Sequence, residues 1–318
     1  MTTAASKGPS SLLFRKSRVS GWDEAVFTFK TVLAIGLAVA CGYLALSPNW
    51  LLALTGAVLL GALYTHMVEL QHQCLHHSSF RTAKLHRLVG IPLGIPLLVS
   101  YSHYRVRHLQ HHRYLGTPQD SEFFGFDTRK PITSGLLLRG LLDYPRIGTV
   151  LRDVLRSWSG GWSYGIGQIA ERRRREIIAE YRLFGLIVAG AVAAAALGFG
   201  GPVLRLWVLP LVFAVPMHFL VELPEHLLCE SSTTDVLRNT RSIRGSWLTT
   251  WFTNGNNLHV EHHAAMVVPI NRLRERHPEV RELAVYVERN YAGFFRKVAA
   301  VAWENRKGSA KAEPERSV

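Results

Sequence analysis

The chain has 318 residues, 48% of them hydrophobic, and its 37 Lys and Arg against 23 Asp and Glu give a formal net charge of +14 and a pI near 10.1. That charge could suit nucleic acid, but the basic residues flank long uncharged apolar runs and no nucleic-acid-binding motif is visible, so a membrane surface is the partner it implies. Three cysteines, Cys41, Cys74 and Cys229, without a C-x-x-C pair exclude a zinc ribbon or a dithiol redox motif.

Residues 1–28 carry Lys7, Arg15, Lys16 and Arg18, and the apolar run begins too late for a cleavable signal peptide. They are expected to form a cytosolic segment ahead of an anchoring first span. Residues 31–50 hold no charge, and Leu51–Val68 continues apolar beyond Ser47-Pro48-Asn49, which predicts a hairpin of two membrane helices. Leu88–Tyr101 is uncharged but too short to cross, and with Pro92 and Pro96 it suits a re-entrant or interface-lying segment.

Residues 134–158 mix Leu with Arg139, Arg146, Arg152 and Arg156, the pattern of helices lying in the interface. Arg172–Arg175 then precedes a second apolar pair, placed to meet anionic headgroups. That pair is Leu183–Leu204 and Leu206–Val221, with Gly198–Pro202 as the turn and Pro210 and Pro216 as kinks. The expected fold is all-α and integral to the membrane, with four transmembrane helices in two hairpins and a cytosolic helical cap. The membrane domain spans residues 29–300, and residues 301–318 form a polar, disordered tail. Only Arg205 lies at the two predicted outer turns, so the positive-inside rule puts both termini and the cap on the cytoplasmic face of a cell inner membrane crossed several times.

Nine of the fifteen histidines fall in three clusters, each just beyond an apolar run: His72, His76 and His77; His108, His111 and His112; His259, His262 and His263. On a helix, residues three and four apart share a face. His72 therefore projects with His76, while His77 turns about 100° away by the helical period and is the doubtful member. Eight strong imidazole candidates exceed the four or so that one metal takes, so two metals are the economical expectation. His66, His86, His103 and His277 lie outside these clusters and read as ordinary.

The segments His72-Gln-Cys-Leu-His-His-Ser-Ser-Phe80, His108-Leu-Gln-His-His112 and His259-Val-Glu-His-His263 resemble, in order and spacing, the three histidine boxes of the membrane fatty acid desaturase and hydroxylase superfamily. The first box is most similar to that of acyl-lipid desaturases, and the resemblance covers roughly residues 25–295. It implies a further ligand between the last span and the third box, matched here by His226. Where the family often has an Asn four residues earlier, this chain has Glu222, a carboxylate able to ligate directly. Asp120, Glu122, Asp235 and Glu261 are candidates to orient ligand imidazoles, and Arg238–Ser242 with Asn254, Asn256 and Asn257 could orient substrate or merely cap helices.

The resemblance further implies two iron ions, dioxygen as co-substrate, an acyl or lipid substrate in the bilayer, and oxidation of an unactivated C–H bond, with desaturation first and hydroxylation or ketolation as the alternative. No separate catalytic side chain is expected beyond the metal ligands. The sole His-Pro, at His277-Pro278, lacks the haem-binding continuation, and no flavin or nicotinamide fingerprint is visible. Electrons are therefore expected from a separate ferredoxin- or cytochrome-type donor with its reductase. A zinc hydrolase would show H-E-x-x-H, and a transporter would place its ligands mid-span. Neither pattern is present.

Overall fold

The first helix, α1 (Gly21–Ala45), starts where Ser20 and Asp23 cap each other: the Ser20 hydroxyl accepts from the Asp23 amide and the Asp23 carboxylate accepts from the Ser20 amide. The structure is a computed structural model that describes residues 18–120 and 130–311. The chain turns at Ser47-Pro48-Asn49, and the Asn49 side chain accepts from the amides of Leu51 and Leu52 to open α2 (Trp50–Leu75). Two glycines make α2 the central helix. A Cβ on Gly56 would fall 2.3 Å from the Ala45 nitrogen, so the backbones of α1 and α2 touch there, and small residues permit such contact.

Two helices of the cap pack on α2. The Gln71 amide donates to the carbonyls of Gly90 and Val99, binding α3 (Ala83–Gly94) and the turn after it to the upper part of α2. This is the segment expected to be re-entrant or interfacial. The second histidine box lies on α4 (Tyr101–Tyr114), whose N-terminus is fixed by a buried carboxylate: Glu180 accepts from the Ser100 hydroxyl at 2.9 Å and the Ser102 amide at 2.8 Å. A negative group there also complements the helix dipole. Next come α5 (Ser134–Leu141) and α6 (Pro145–Trp158), which leave Leu138, Leu142, Leu151, Leu155 and Trp158 exposed, as interface-lying helices would.

The long apolar run that follows comprises α7 (Glu171–Ala194), α8 (Gly200–Val203) and α9 (Leu209–Glu222), joined by two π-helical turns. Against the expected four spans, three helical stretches among the described residues are long and apolar enough to cross a membrane: Gly21–Ala45, Trp50–Leu75 and the 52-residue Glu171–Glu222. The third is broken at Gly198, whose φ of +99° only glycine adopts readily. Beyond the break, α9 packs on α2, and a Cβ on Gly61 would lie 2.8 Å from the Pro210 carbonyl oxygen. The Arg205 guanidinium donates to the Ser47 carbonyl at 3.0 Å, so the break lies at the same end as the α1–α2 turn.

The remaining cap holds α10 (Val236–Asn239), α11 (Trp247–Phe252), α12 (His259–Ala264), α13 (His277–Leu283) and α14 (Tyr291–Lys311). The cap also holds the one short sheet among the described residues of a mostly helical fold. Strands β1 (Arg241–Ile243) and β2 (Tyr286–Glu288) pair in parallel, with Arg241 opposite Tyr286 and Ile243 opposite Glu288. Three residues are too few to show the two-residue alternation that marks a strand. At the C-terminus, α14 runs across the expected start of the tail at residue 301 and continues to Lys311.

Candidate metal centre

The three boxes and His226 converge into two groups of four buried histidines. His72, His76, His108 and His262 form one, and His111, His226, His259 and His263 the other, with all ligand nitrogens of a group within 4.8 Å of one another. His112 joins the first: its Nε2 lies 3.0 Å from the Nε2 atoms of both His108 and His262. The pairs four residues apart stay together, as His72 with His76 and His259 with His263. The members three apart divide, so that α4 sends His108 to one group and His111 to the other, while α12 sends His262 to the first and His259 to the second. These two short helices thereby tie the centres together.

The chemistry of the nitrogens tests whether a metal fits. His226 Nδ1 donates to the Asn239 carbonyl at 2.9 Å, and His111 Nδ1 donates to the Asp120 carboxylate at 2.7 Å. The Asn256 side chain donates through its Nδ2 to Glu225, and its Oδ1 accepts from His259 Nδ1 at 3.1 Å. Each neutral ring thus carries its proton on Nδ1 and a lone pair on Nε2. Those lone pairs nevertheless face each other: His111 to His226 at 3.1 Å and His259 to His226 at 3.2 Å. The Glu225 carboxylate also stands 3.4 Å from His259 Nε2. Lone pairs gathered at such distances repel unless a cation lies among them.

The first group makes the same point by counting. His108 Nε2 has the Nε2 atoms of His72, His76 and His112 at 2.7, 2.8 and 3.0 Å. One ring nitrogen carries one proton or one lone pair and can make a single N–H···N bond, so three such neighbours fit a shared metal and not a hydrogen-bond network. Burial, reinforced by the neighbouring imidazoles, holds His259, His262 and His263 well below the ordinary histidine range. Neutral imidazole is the ligating form.

His226 reaches its group although α9 ends at Glu222, because Pro224 stops the helix and a buried arginine holds the loop that follows. Arg241 donates to the carbonyls of Pro224 at 2.8 Å, Leu227 at 2.5 Å and Leu228 at 3.3 Å, and its guanidinium lies 4.7 Å above the Phe294 ring. The expected cluster Arg238–Ser242 therefore supports the loop carrying His226. Asn256 contacts a box histidine, whereas Asn254 bridges to Gln73 and Lys30 and Asn257 to the Ile243 carbonyl.

Other expected residues lie elsewhere. His77 has φ +55°, is exposed, and stacks on His86 at 4.6 Å, outside both groups. Glu222 joins neither group of four and instead contacts His218 Nδ1 at 3.1 Å. Among the suggested orienting acids, Asp120 meets His111, but Glu261 pairs with His277 and Ser242, and Asp235 caps α10. Glu122 lies outside the described residues. Glu225 was not anticipated, since an acid next to a single histidine carries no spacing signal. His66 and His103 have ordinary partners in the Phe252 carbonyl and the Tyr181 hydroxyl, and His86 accepts from the Phe80 amide.

A sequence model of the fatty acid desaturase family matches residues 48–295, the stretch that holds all three boxes and His226. This chain belongs to the fatty acid desaturase family. Desaturases similar to it include the sn-1 oleoyl-lipid 12-desaturase of Picosynechococcus sp., 24% identical over 80% of this chain and 76% of that protein. The sn-1 oleoyl-lipid 12-desaturase of Arthrospira platensis is 24% identical over 86% of this chain and 83% of its own length. The chloroplastic omega-3 fatty acid desaturase of Glycine max is 31% identical over 32% of this chain, and that match spans only 22% of the soybean desaturase.

Proposed function

We propose that this chain is a membrane oxidoreductase that desaturates an acyl chain of a lipid, using dioxygen and a pair of irons held by the two histidine groups. The carrying observation is the pair of imidazole groups whose Nε2 lone pairs converge, within a chain of the desaturase family. His72, His76, His108, His112 and His262 would hold one iron, and His111, His226, His259 and His263 the other. Neutral imidazoles suit iron, which supplies the oxidising power toward an unactivated C–H bond that acid–base side chains lack.

In the overall reaction a –CH2–CH2– pair loses two hydrogens to become –CH=CH–. Dioxygen takes those hydrogens together with two electrons and two protons from an external donor, and leaves as two waters. The side chains contribute positioning and exclusion of water: Asp120, Asn256 and the Asn239 carbonyl fix three ring orientations, and eight of the nine histidines are buried. A ferredoxin or cytochrome with its reductase fits as donor; one relative is named as a ferredoxin-dependent acyl-lipid omega-3 desaturase. The names of the two long cyanobacterial relatives favour desaturation over hydroxylation.

The membrane arrangement in this proposal has four spans within residues 29–300. A straight helix of the length of Glu171–Glu222 would extend roughly 78 Å at 1.5 Å per residue, more than twice the ~30 Å hydrocarbon core, and the break at Gly198 with the Arg205–Ser47 contact suits a second hairpin. The positive-inside rule then faces the histidines to the cytoplasm of a cell inner membrane. Expression in a host of simple lipid profile, followed by lipid mass spectrometry, tests the activity. A chain lighter by two hydrogens is expected; a chain heavier by one oxygen would replace desaturation with hydroxylation.

A further inference from the structure

Among the described residues, one further cluster of potential metal ligands lies outside the two histidine groups. Glu69, His218 and Glu222 are all buried, and each offers a ligand atom within 4.8 Å of the others. Glu69 lies on α2 three residues before His72, hence on the same helical face and about one turn deeper in the apolar part of the fold. His218 and Glu222 stand opposite on α9, four residues apart, with His218 Nδ1 3.1 Å from the Glu222 carboxylate. Ionisable groups inside membrane helices are costly and mark function by default.

Two further observations point to a ligand. The Glu69 Oε2 atom is fully enclosed and has no hydrogen-bond partner among the described residues, in a residue only 2% exposed. A carboxylate oxygen left so in a buried place is expensive unless a cation meets it. Beside the three residues is a cavity of 40 Å³ walled by Asp143, Arg146, His218 and Glu222, with room for roughly two or three waters. Arg146 shares that wall with the carboxylates of Glu222 and Asp143.

We propose that Glu69, His218 and Glu222 form a third cation site, separate from the two histidine groups, which takes an oxygen-preferring divalent metal such as Mn2+ or Mg2+ and completes its shell with waters from the adjoining cavity. Two carboxylates and water favour these ions, in contrast to the all-nitrogen groups beside them. The inference goes beyond the two-iron reading and is tested apart from it.

The test is a Mn2+ titration of the purified full-length chain in detergent after anaerobic loading with two equivalents of ferrous iron, reading bound Mn2+ from loss of the free-ion EPR signal. One Mn2+ per chain is expected, with affinity at least tenfold weaker in Glu69→Gln/Glu222→Gln while iron content holds. The paired variant His111→Ala/His262→Ala, which removes one ligand from each histidine group, should lose iron and keep its Mn2+. No Mn2+ uptake by either the iron-loaded chain or that paired variant overturns the site, as does undiminished uptake by the double glutamine variant. Iron lost in step with Mn2+ in the glutamine variant would assign both carboxylates to the iron shell and overturn it too. If the wild-type chain holds no iron, the two-iron reading fails by itself, and Mn2+ retention in the paired variant still decides this one.

Discussion

The Nε2 atoms of His111 and His226 stand 3.1 Å apart although both rings spend their Nδ1 protons elsewhere, on the Asp120 carboxylate and the Asn239 carbonyl. That relationship makes Asp120 a positioning residue for a ligand. Asp120→Ala should lower iron affinity by roughly 10–100-fold, the usual cost of losing such a partner, while leaving the chain folded. Unchanged iron affinity, measured by competition with a chelator, would show that Asp120 does not orient His111.

His72 and His77 belong to one sequence box but to different surroundings. His72→Ala removes a nitrogen 2.7 Å from His108 and should abolish iron binding at the first group. His77→Ala removes only a stacking contact with His86 and should keep both irons. Equal iron loss in the two variants would contradict the assignment.

Arg241 is the most consequential residue beyond the histidines. Its replacement by Met leaves the carbonyls of Pro224, Leu227 and Leu228 without their donor, at a cost on the order of 3 kcal/mol for a buried charged hydrogen-bond cluster. Arg241→Lys keeps the charge but not the fork. Both variants should lower the thermal midpoint and release iron from the His226 group first. A variant with wild-type stability and full iron content would count against this role.

Acid should destabilise the protein through His103. Burial against Tyr181 lowers this ring from 6.5 to about 3, so the unfolded chain takes up a proton that the folded chain refuses. Its contribution is present above pH 6.5 and is lost at about 1.4 kcal/mol per pH unit as pH falls from 6.5 toward 3. In metal-free protein, His103→Gln should flatten this part of the acid branch of a stability–pH curve relative to wild type. Parallel curves for the two proteins would remove His103 as the cause.

Much of this arrangement is legible in the sequence because both kinds of signal are periodic. Uncharged runs mark α1, α2 and the long stretch ending at Glu222, and the i, i+3, i+4 spacing of the boxes puts their histidines on shared faces. That spacing cannot say which centre a histidine joins: His108 and His111 share a face of α4 yet divide between the groups, which depends on where α12 packs. Glu225, and the roles of Arg241 and the Asn239 carbonyl within the run Arg238–Ser242, escape the sequence for a different reason. They act through loop geometry and long-range contacts, which leave no period to detect. Glu222 was legible as a ligand candidate, but its partners Glu69 and His218 come together only when α2 packs on α9.

The central claim is that the two imidazole groups hold iron, and iron K-edge X-ray absorption on the purified chain, loaded with two equivalents and desalted, tests it most directly. The account predicts two irons retained per chain, each in a shell dominated by imidazole nitrogens, five from the first group with His112 and four from the second. Iron that washes out on desalting, or a retained first shell dominated by oxygen, would contradict it.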